Sequence, residues 1–428
     1  MTASTLVRLT PTAPAHGGTC IAHDEDGHPV FVSHTAPGET VRARVHTQRS
    51  KVAFADAVEI LTPNEHRRPH FWSQAGPGGV GGADLGHLTE EYQRWWKGQV
   101  IGDQIRRVGG ATLAAHLQSL LGAETGGEYT PVVRPASGDE TGLALHRRRR
   151  IECEVSERGR LAMRPENSKE LIDLEDMPLA DESLLELSVW ADTRWRRIWH
   201  PGARVRLLAP NDGGRRITVG NQAFNAAGRR VRPIAQWQVT HSDHTAHFEV
   251  SATGFWQAHR SAPNDLVETV MRLARPAPGE WALELYAGAG LFSYFLARAI
   301  GEDGRLVTLE GAGAAVSDAR NNLAAFADST RLLRANVNAR AVARGVETLG
   351  GYPDLVVLDP PRAGAGKAVI EAIGESGARR VVLVSCDPAA GARDCAQLLQ
   401  AGFTVGGLEA IDLFPQTHHV EIVSLWER

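Results

Sequence analysis

The sequence contains only four cysteines, and it lacks any apolar run that approaches the ~18 residues of a membrane span. The cysteines, at positions 20, 153, 386 and 395, are too widely spaced for a disulfide framework or for a CxxC metal site. The N-terminus also lacks the charged and then apolar pattern of a signal peptide. We therefore expect reduced thiols, no metal site, no membrane partner and a cytoplasmic protein.

Charge gives only a local indication of a partner. The chain has 46 Lys and Arg against 50 Asp and Glu, a net charge of −4, which does not point to nucleic acid. Residues 141–240 differ, with 18 Lys and Arg against 13 Asp and Glu, and this basic segment permits a polyanionic partner without requiring one. A length of 428 residues with 43% apolar residues indicates roughly two to four globular domains.

Residues 1–62 are predicted to form a small all-β domain. Short strand-like runs, such as those at 6–9 and 41–45, are separated by turn signals such as Gly17-Gly18. Five short strands at this spacing are typical of an OB-like β-barrel. Such a barrel could bind RNA or could be a purely structural cap, and the sequence leaves both possibilities open.

Residues 63–245 are interpreted as a mixed α+β central domain. The amphipathic pattern of residues 88–108 predicts a helix, which Gly109-Gly110 is expected to end. Four consecutive arginines, residues 147–150, precede a predicted strand. They could hold RNA phosphates, or they could form a solvated edge that discourages pairing between sheets.

From residue 246 to residue 428, strand-like and helix-like runs alternate regularly. This βαβ pattern predicts an α/β fold with a Rossmann-like, doubly wound and mostly parallel sheet of seven strands. The last two runs leave no room for a crossover helix between them, so we expect them to pair antiparallel. The predicted strands are 281–286, 305–310, 330–336, 355–359, 381–386, 404–413 and 419–426.

A glycine-containing turn follows the first of these strands. Glu284 precedes Gly288 and Gly290, whose backbone freedom would let the chain turn tightly against a bound nucleoside. Ser293 stands where a dinucleotide-binding loop would have its third glycine. Glu310, at the end of the second strand, could accept hydrogen bonds from ribose hydroxyls. The pattern favours S-adenosylmethionine over NAD, although a structural turn with a strand-capping acid would use the same residues.

Three later strand ends carry the motif Asp359-Pro360-Pro361-Arg362, then Cys386, then Glu421. The Asp-Pro-Pro motif alone would indicate an N-methyltransferase, and a strand-end cysteine is commonly an inert small apolar residue. A thiolate can, however, add to C6 of uracil and turn C5 into a nucleophile for a methyl sulfonium. A base must then remove the C5 proton, and Glu421 is the candidate. Arg393 or the N-terminus of the next helix could stabilise the thiolate.

The motifs at residues 283–293, 358–364, 385–394 and 412–421 together resemble those of RNA uracil-C5 methyltransferases, which form 5-methyluridine in tRNA and 23S rRNA. The N-terminal segment is similar to their TRAM domain, and the resemblance spans nearly the whole chain. It implies a class I methyltransferase domain, S-adenosylmethionine as the cofactor and an RNA partner; we expect a monomer. By position, Cys386 would be the nucleophile and Glu421 the base, and the cofactor pocket would be formed by Gln257, Tyr286, Gly288, Gly290, Glu310, Asn336 and Asp359.

One departure concerns an iron–sulfur cluster that many rRNA-directed members of this family hold on four cysteines. Arg68, Val80, Ala83 and Met177 stand at those positions, and none of them can ligate a cluster, so we expect none. The family architecture also implies that the helix at 88–108 packs on the catalytic domain. Two rival functions are an N-methyltransferase acting on nucleic acid or protein and a non-catalytic RNA-binding protein.

Overall fold

The computed structural model describes residues 6–121, 128–165 and 168–428. Residues 1–5 of the predicted N-terminal domain, and residues 122–127 and 166–167 of the predicted central domain, lie outside the described residues. Within those described ranges, no helix is long and apolar enough to cross a membrane.

The N-terminal sheet has six strands where the sequence predicted five, because the segments on either side of Gly17-Gly18 pair with each other. Alternate residues of its strands, such as Val30 and Val32, point into a small separate core. The strands are β1 (Leu6–Leu9), β2 (Ala13–Ala15), β3 (Thr19–His23), β4 (Pro29–Ser33), β5 (Thr40–Arg49) and β6 (Val52–Thr62). Their order is β1-β5-β6-β4-β3-β2, and among these described strands only the β4–β6 pair is parallel.

Two consecutive helices follow this sheet: α1 (Glu90–Gln104) and α2 (Gly110–Leu121), joined by a π-helical segment (Ile105–Gly109). The first helical region ends at Gly109-Gly110, as the sequence predicted. Gly110 has a φ of +86°, which bends the chain, but a second helix starts at that residue. Apolar side chains from both helices, including Ile101 and Leu117, are buried in one core with the C-terminal sheet.

The central part of the chain forms a second sheet, in the order β10-β9-β8-β11-β12-β13-β14. Its core includes the stacked indole rings of Trp195 and Trp199, whose centroids are 6.0 Å apart. The elements here are β7 (Val133–Pro135), β8 (Arg150–Val155), β9 (Leu161–Met163), β10 (Ile172–Asp173), α3 (Glu182–Leu185), a 3-10 helix (Thr193–Arg197), β11 (Arg204–Leu208), β12 (Arg216–Val219), β13 (Gln222–Phe224) and β14 (Arg230–Val231).

The domain boundary predicted at residues 245 and 246 falls inside a hairpin. Strands β15 (Ile234–His241) and β16 (His244–Ser251) pair antiparallel along their full lengths. They bury Trp237 and Phe248 in the core shared with the helices of the C-terminal sheet. The C-terminal unit therefore begins near Ile234, because dividing the hairpin would expose its paired backbone groups.

Eight strands, rather than the predicted seven, form the C-terminal sheet of the described residues. The elements are α4 (Ala262–Ala274), β17 (Trp281–Leu285), α5 (Leu291–Ile300), β18 (Arg305–Glu310), α6 (Gly313–Asn322), β19 (Thr330–Arg334), α7 (Ala339–Leu349), β20 (Leu355–Leu358), α8 (Lys367–Glu375), β21 (Arg380–Ser385), α9 (Pro388–Gln400), β22 (Thr404–Asp412) and β23 (Glu421–Glu427). Their order is β19-β18-β17-β20-β21-β23-β22-β7. The last two strands pair antiparallel as predicted. The additional strand is β7, which comes from the central segment and pairs in parallel with β22.

Candidate functional site

The register of two neighbouring strands brings Cys386 and Glu421 together. The last residue of β21, Ser385, pairs with Ile422 of the antiparallel strand β23. Continuing this register by one residue sets Cys386 opposite Glu421, so the two side chains are cross-strand neighbours. A parallel strand ends, and the antiparallel strand begins, at the same edge of the sheet.

Three residues at the carboxyl ends of central parallel strands also lie at this edge: Tyr286 after β17, Glu310 at the end of β18 and Asp359 after β20. Tyr286 lies level with both Glu310 and Asp359, because β17 is in register with β18 on one side and with β20 on the other. This is the edge at which open α/β sheets bind their ligands. The sheet therefore gathers the predicted nucleophile, the predicted base and part of the predicted cofactor pocket.

The electrostatic surroundings of Cys386 keep its thiol protonated. Burial raises its pKa to about 12, and the nearby carboxyls of Glu421 and Asp359 act in the same direction. The cation that opposes them is Arg362 and not Arg393, whose guanidinium is directed to the carbonyl of Ala363 at 3.5 Å. The helix α9 does begin just after Cys386, as the sequence predicted.

Glu421 is a buried carboxyl whose surroundings disfavour its ionised form. It is 5% exposed, and its Oε2 has no hydrogen-bond partner among the residues described. Burial, and then the carboxyl of Asp359, raise its pKa well above the usual value, whereas Arg362 acts in the opposite direction. A buried carboxyl with one unpartnered oxygen is suited to exchange a proton with a substrate.

Arg362 is a charged residue at this site to which sequence reasoning gave no role. Its side chain is exposed at this edge, and its guanidinium contacts Nε2 of His419 at 3.1 Å. Arg362 was visible as the last residue of the Asp-Pro-Pro-Arg motif, but its charge could be related to Cys386 only once β20 and β21 were seen to be neighbours.

The turn after β17 adopts the conformation that its glycines suggested. Tyr286, Gly288 and Gly290 have φ values of +62°, +56° and +90°. Glu310 fixes the turn, because its Oε2 accepts a hydrogen bond from the Gly288 N–H at 2.9 Å and its Oε1 accepts one from the Ala312 N–H at 2.6 Å. Such a turn, with an acid at the end of the next strand, is the arrangement used for nucleosides.

The open space beside this turn fits a nucleoside cofactor. A Cβ placed on Gly288 would meet no atom within 4 Å, and Glu310 has lone pairs left for ribose hydroxyls. Asn336 lies next to the turn after Glu310, since a Cβ on Gly311 would stand 2.5 Å from its Oδ1. Gln257 is half-buried on the loop between β16 and α4, and its cofactor role stays a prediction.

The arginines at 147–150 are engaged within the protein. Arg147 forms an ion pair with Asp139, and Arg149 forms one with Asp181. Arg148 donates a hydrogen bond to the Gly82 carbonyl at 2.8 Å, and Arg150 lies 5.8 Å from the ring centroid of Phe255. These contacts join segments of the chain, a use that neither of the two sequence interpretations included.

The positions of the family's cluster cysteines do not fit an iron–sulfur cluster. Val80, Ala83 and Met177 are each at most 3% exposed and pack in one apolar core. Arg68 forms an ion pair with Glu90 at 2.9 Å. None of these side chains supplies the thiolate that a cluster requires.

Known proteins resemble this chain along most of its length. Residues 234–428 match the family model of the tRNA (Uracil-5-)-methyltransferases, and residues 6–58 match that of the TRAM domain. A protein of Streptomyces coelicolor, described as an uncharacterized RNA methyltransferase, is 37% identical over 436 residues, which cover 96% of this chain and 91% of that protein. The 23S rRNA (uracil(1939)-C(5))-methyltransferase RlmD of Halomonas elongata is 30% identical, with 96% of this chain and 88% of that protein covered.

A solved structure shows the same fold. It is the tRNA (uracil-54, C5)-methyltransferase of Pyrococcus abyssi in complex with S-adenosyl-L-homocysteine, with a TM-score of 0.65 and 17% identity over 98% of this chain and 99% of that chain. The α/β methyltransferase fold predicted from the sequence is thereby confirmed. Together with the relatives that match along nearly the whole chain, it shows that this protein belongs to the S-adenosylmethionine-dependent RNA uracil-C5 methyltransferases that carry a TRAM domain.

Proposed function

We propose that this enzyme forms 5-methyluridine in tRNA or 23S rRNA through a covalent bond between Cys386 and C6 of the target uracil. The observation that carries the proposal is the register that sets Cys386 opposite Glu421. Methylation at C5 requires both a nucleophile and a base in one pocket. An N-methyltransferase, the rival reading of the Asp-Pro-Pro motif, would require neither residue.

The cofactor pocket lies beside this pair. S-adenosylmethionine, when bound, supplies an electrophilic methyl group. Glu310 would bind its ribose, and the turn that Glu310 holds would approach it closely. The residues proposed to hold the cofactor are Gln257, Tyr286, Gly288, Gly290, Glu310, Asn336 and Asp359.

The protein's own residues carry the other steps. Cys386 first gives its proton to solvent; Sγ of the thiolate then bonds to C6, while the electrons of the C5–C6 double bond move to C5. The exposed cation of Arg362 favours the thiolate that this step needs, against the burial that disfavours it. Once C5 carries the methyl group, Glu421 takes the C5 proton. The freed electrons restore the double bond, and Sγ leaves.

The target uridine has to leave its stack to reach a nucleophile at the edge of a sheet. Sequence-specific enzymes of RNA generally act on unstacked bases in loops or bulges, and this enzyme is proposed to flip its target uridine into the pocket. The TRAM domain would bind the surrounding RNA, with the enzyme acting as a monomer.

Mass-spectrometric mapping of 5-methyluridine in tRNA and 23S rRNA, from cells with and without this protein, tests the proposal. One uridine should lose its methyl group in cells without the protein. Purified Cys386→Ala should then transfer no methyl group to that RNA. Cys395→Ala is the matched control, because Cys395 is 7% exposed on α9 and should be dispensable. Full methyl transfer by Cys386→Ala would refute the covalent mechanism.

A further inference from the structure

The turn between β2 and β3 of the TRAM domain reaches the catalytic edge. Nε2 of His16 lies 3.0 Å from Oδ2 of Asp387, the residue that directly follows Cys386. Both side chains are partly accessible, at 38% and 24% exposed. His16 precedes Asp387 by 371 residues in the chain, yet the TRAM domain contacts the segment that bears the nucleophile.

The same turn also contacts the segment that leads to the base. Gly18 packs so closely on the ion pair between Asp84 and His418 that a Cβ there would lie 2.6 Å from Oδ2 of Asp84 and 3.0 Å from Nδ1 of His418. His418 precedes Glu421 by three residues. The turn thus lies against both catalytic segments, and this close approach is possible because Gly18 has no side chain.

We propose that the TRAM turn at residues 16–18 is a wall of the catalytic pocket, and that His16 is a positioning residue that compensates the charge of Asp387 beside the nucleophile. This inference rests on the proposed function, since it assigns a purpose to Cys386 as a thiolate. It gives the TRAM domain a part in catalysis besides RNA binding.

The chemistry of Asp387 explains why a cation is needed there. Its side chain caps α9 by accepting a hydrogen bond from the Ala390 N–H at 2.8 Å, so an acid or amide is required for the helix to start. A bare carboxylate next to Cys386 raises the pKa of the thiol and so disfavours the thiolate. A protonated His16 offsets that charge without removing the cap.

Both side chains have charged neighbours in the described part of the chain. The hydrogen bond to Asp387 raises the pKa of His16, while burial and the cation of Arg393 act in the opposite direction. On the other side, burial works against the ionised form of Asp387, but the His16 hydrogen bond and the Ala390 N–H keep its pKa below the usual value. Apart from Asp387, the charged groups that act on Cys386 include Glu421, Asp359 and Arg362.

The rate at which Cys386 reacts with a dipyridyl disulfide measures its thiolate directly. Sγ bonds to one sulfur of the reagent, the S–S bond of the reagent breaks, and a pyridinethione leaves. Cys386 dominates the reaction because it is the half-exposed thiol, whereas the other three cysteines are buried; a Cys386→Ser blank subtracts the rest. Rates are compared for the full-length chain, His16→Gln, Asp387→Asn and the double variant.

We expect His16→Gln to slow the reaction about threefold to tenfold near pH 6, with the difference fading towards alkaline pH as His16 of the parent protein loses its charge. In the Asp387→Asn background, which keeps the helix cap but carries no charge, the His16 substitution should have no effect. His28→Gln is the matched control, because His28 faces Asp24 at 3.6 Å in the turn at the other end of β3. Unchanged S-adenosylmethionine affinity would show that each variant is folded.

An equal rate for His16→Gln and His28→Gln near pH 6 would overturn the inference, as would a His16 effect that persists at full size in Asp387→Asn. In methylation assays, His16→Gln should lower kcat with little change in KM for RNA. A raised KM with unchanged kcat would make His16 an RNA contact and refute its positioning role. If the parent protein methylates no RNA, the proposed function fails, yet the disulfide rates still decide whether His16 acts on Cys386.

Discussion

Glu421→Gln should allow the addition of Cys386 and the methylation of C5, but it should block the later removal of the C5 proton. Glutamine has nearly the same shape as glutamate but cannot take a proton. It should fit the position of Glu421, which is 5% exposed and whose Oε2 has no hydrogen-bond partner among the described residues. A positioned general base contributes roughly 10²–10⁴-fold to a rate. Multiple turnover should therefore fall by at least about 100-fold.

The addition of Cys386 to RNA should survive this substitution. The carboxylate of Glu421 is one of the groups that raise the pKa of Cys386, so an uncharged amide should let the thiolate form at least as readily. A complex of protein, RNA and transferred methyl group should then accumulate, because C5 keeps its proton and Sγ cannot leave.

A denaturing gel with a radiolabelled methyl donor measures that complex. The band should carry label in near-stoichiometric amounts for Glu421→Gln and none for the double variant Cys386→Ala/Glu421→Gln. Turnover by Glu421→Gln within about tenfold of the parent enzyme would fall short of the rate loss expected for a base. Absence of the band, in a variant that still binds RNA and cofactor, would remove Glu421 from the base role.

Three further predictions concern stability and are measured by urea or thermal unfolding. Lys97→Met should destabilise the protein by about 3–5 kcal/mol, because it leaves the buried carboxylate of Asp412 without the Lys97 ammonium that now lies 2.5 Å away. The double variant Lys97→Met/Asp412→Leu should recover most of this loss. No recovery of stability would contradict the prediction. Gly18→Ala should cost about 1–2 kcal/mol more than Gly17→Ala. Both glycines have positive φ, but a Cβ meets neighbouring atoms only at Gly18, so equal costs would be the contrary result. Burial raises the pKa of Glu284 from 4.5 to about 8, so the native state binds that proton more tightly and loses stability as pH rises through this range. Glu284→Gln should flatten the slope, and an unchanged slope would show that Glu284 is not its source.

Hydrophobic patterning along the sequence correctly predicted the strands whose burial follows from their own residues. The run at 355–358 is entirely buried, and it forms a central parallel strand as its uniformly apolar sequence indicated. The hairpin at 234–251 was divided by a boundary placed at 245 and 246, because its alternating pattern does not reveal which core it covers. The end of the first helix at Gly109-Gly110 was predicted from the local preference of glycine, but the second helix that starts at Gly110 was not.

The sequence by itself determined the motif residues: the glycine turn with Glu310, the strand-end cysteine and the late glutamate, each readable because it sits at a fixed offset from a strand. Only the tertiary structure decided what surrounds them. Arg362 became the cation facing Cys386 through the pairing of neighbouring strands, and His16 met Asp387 through the docking of a separate domain. The physical reason is that electrostatic coupling depends on distance through space, and the chain separation of these residues carries no information about that distance.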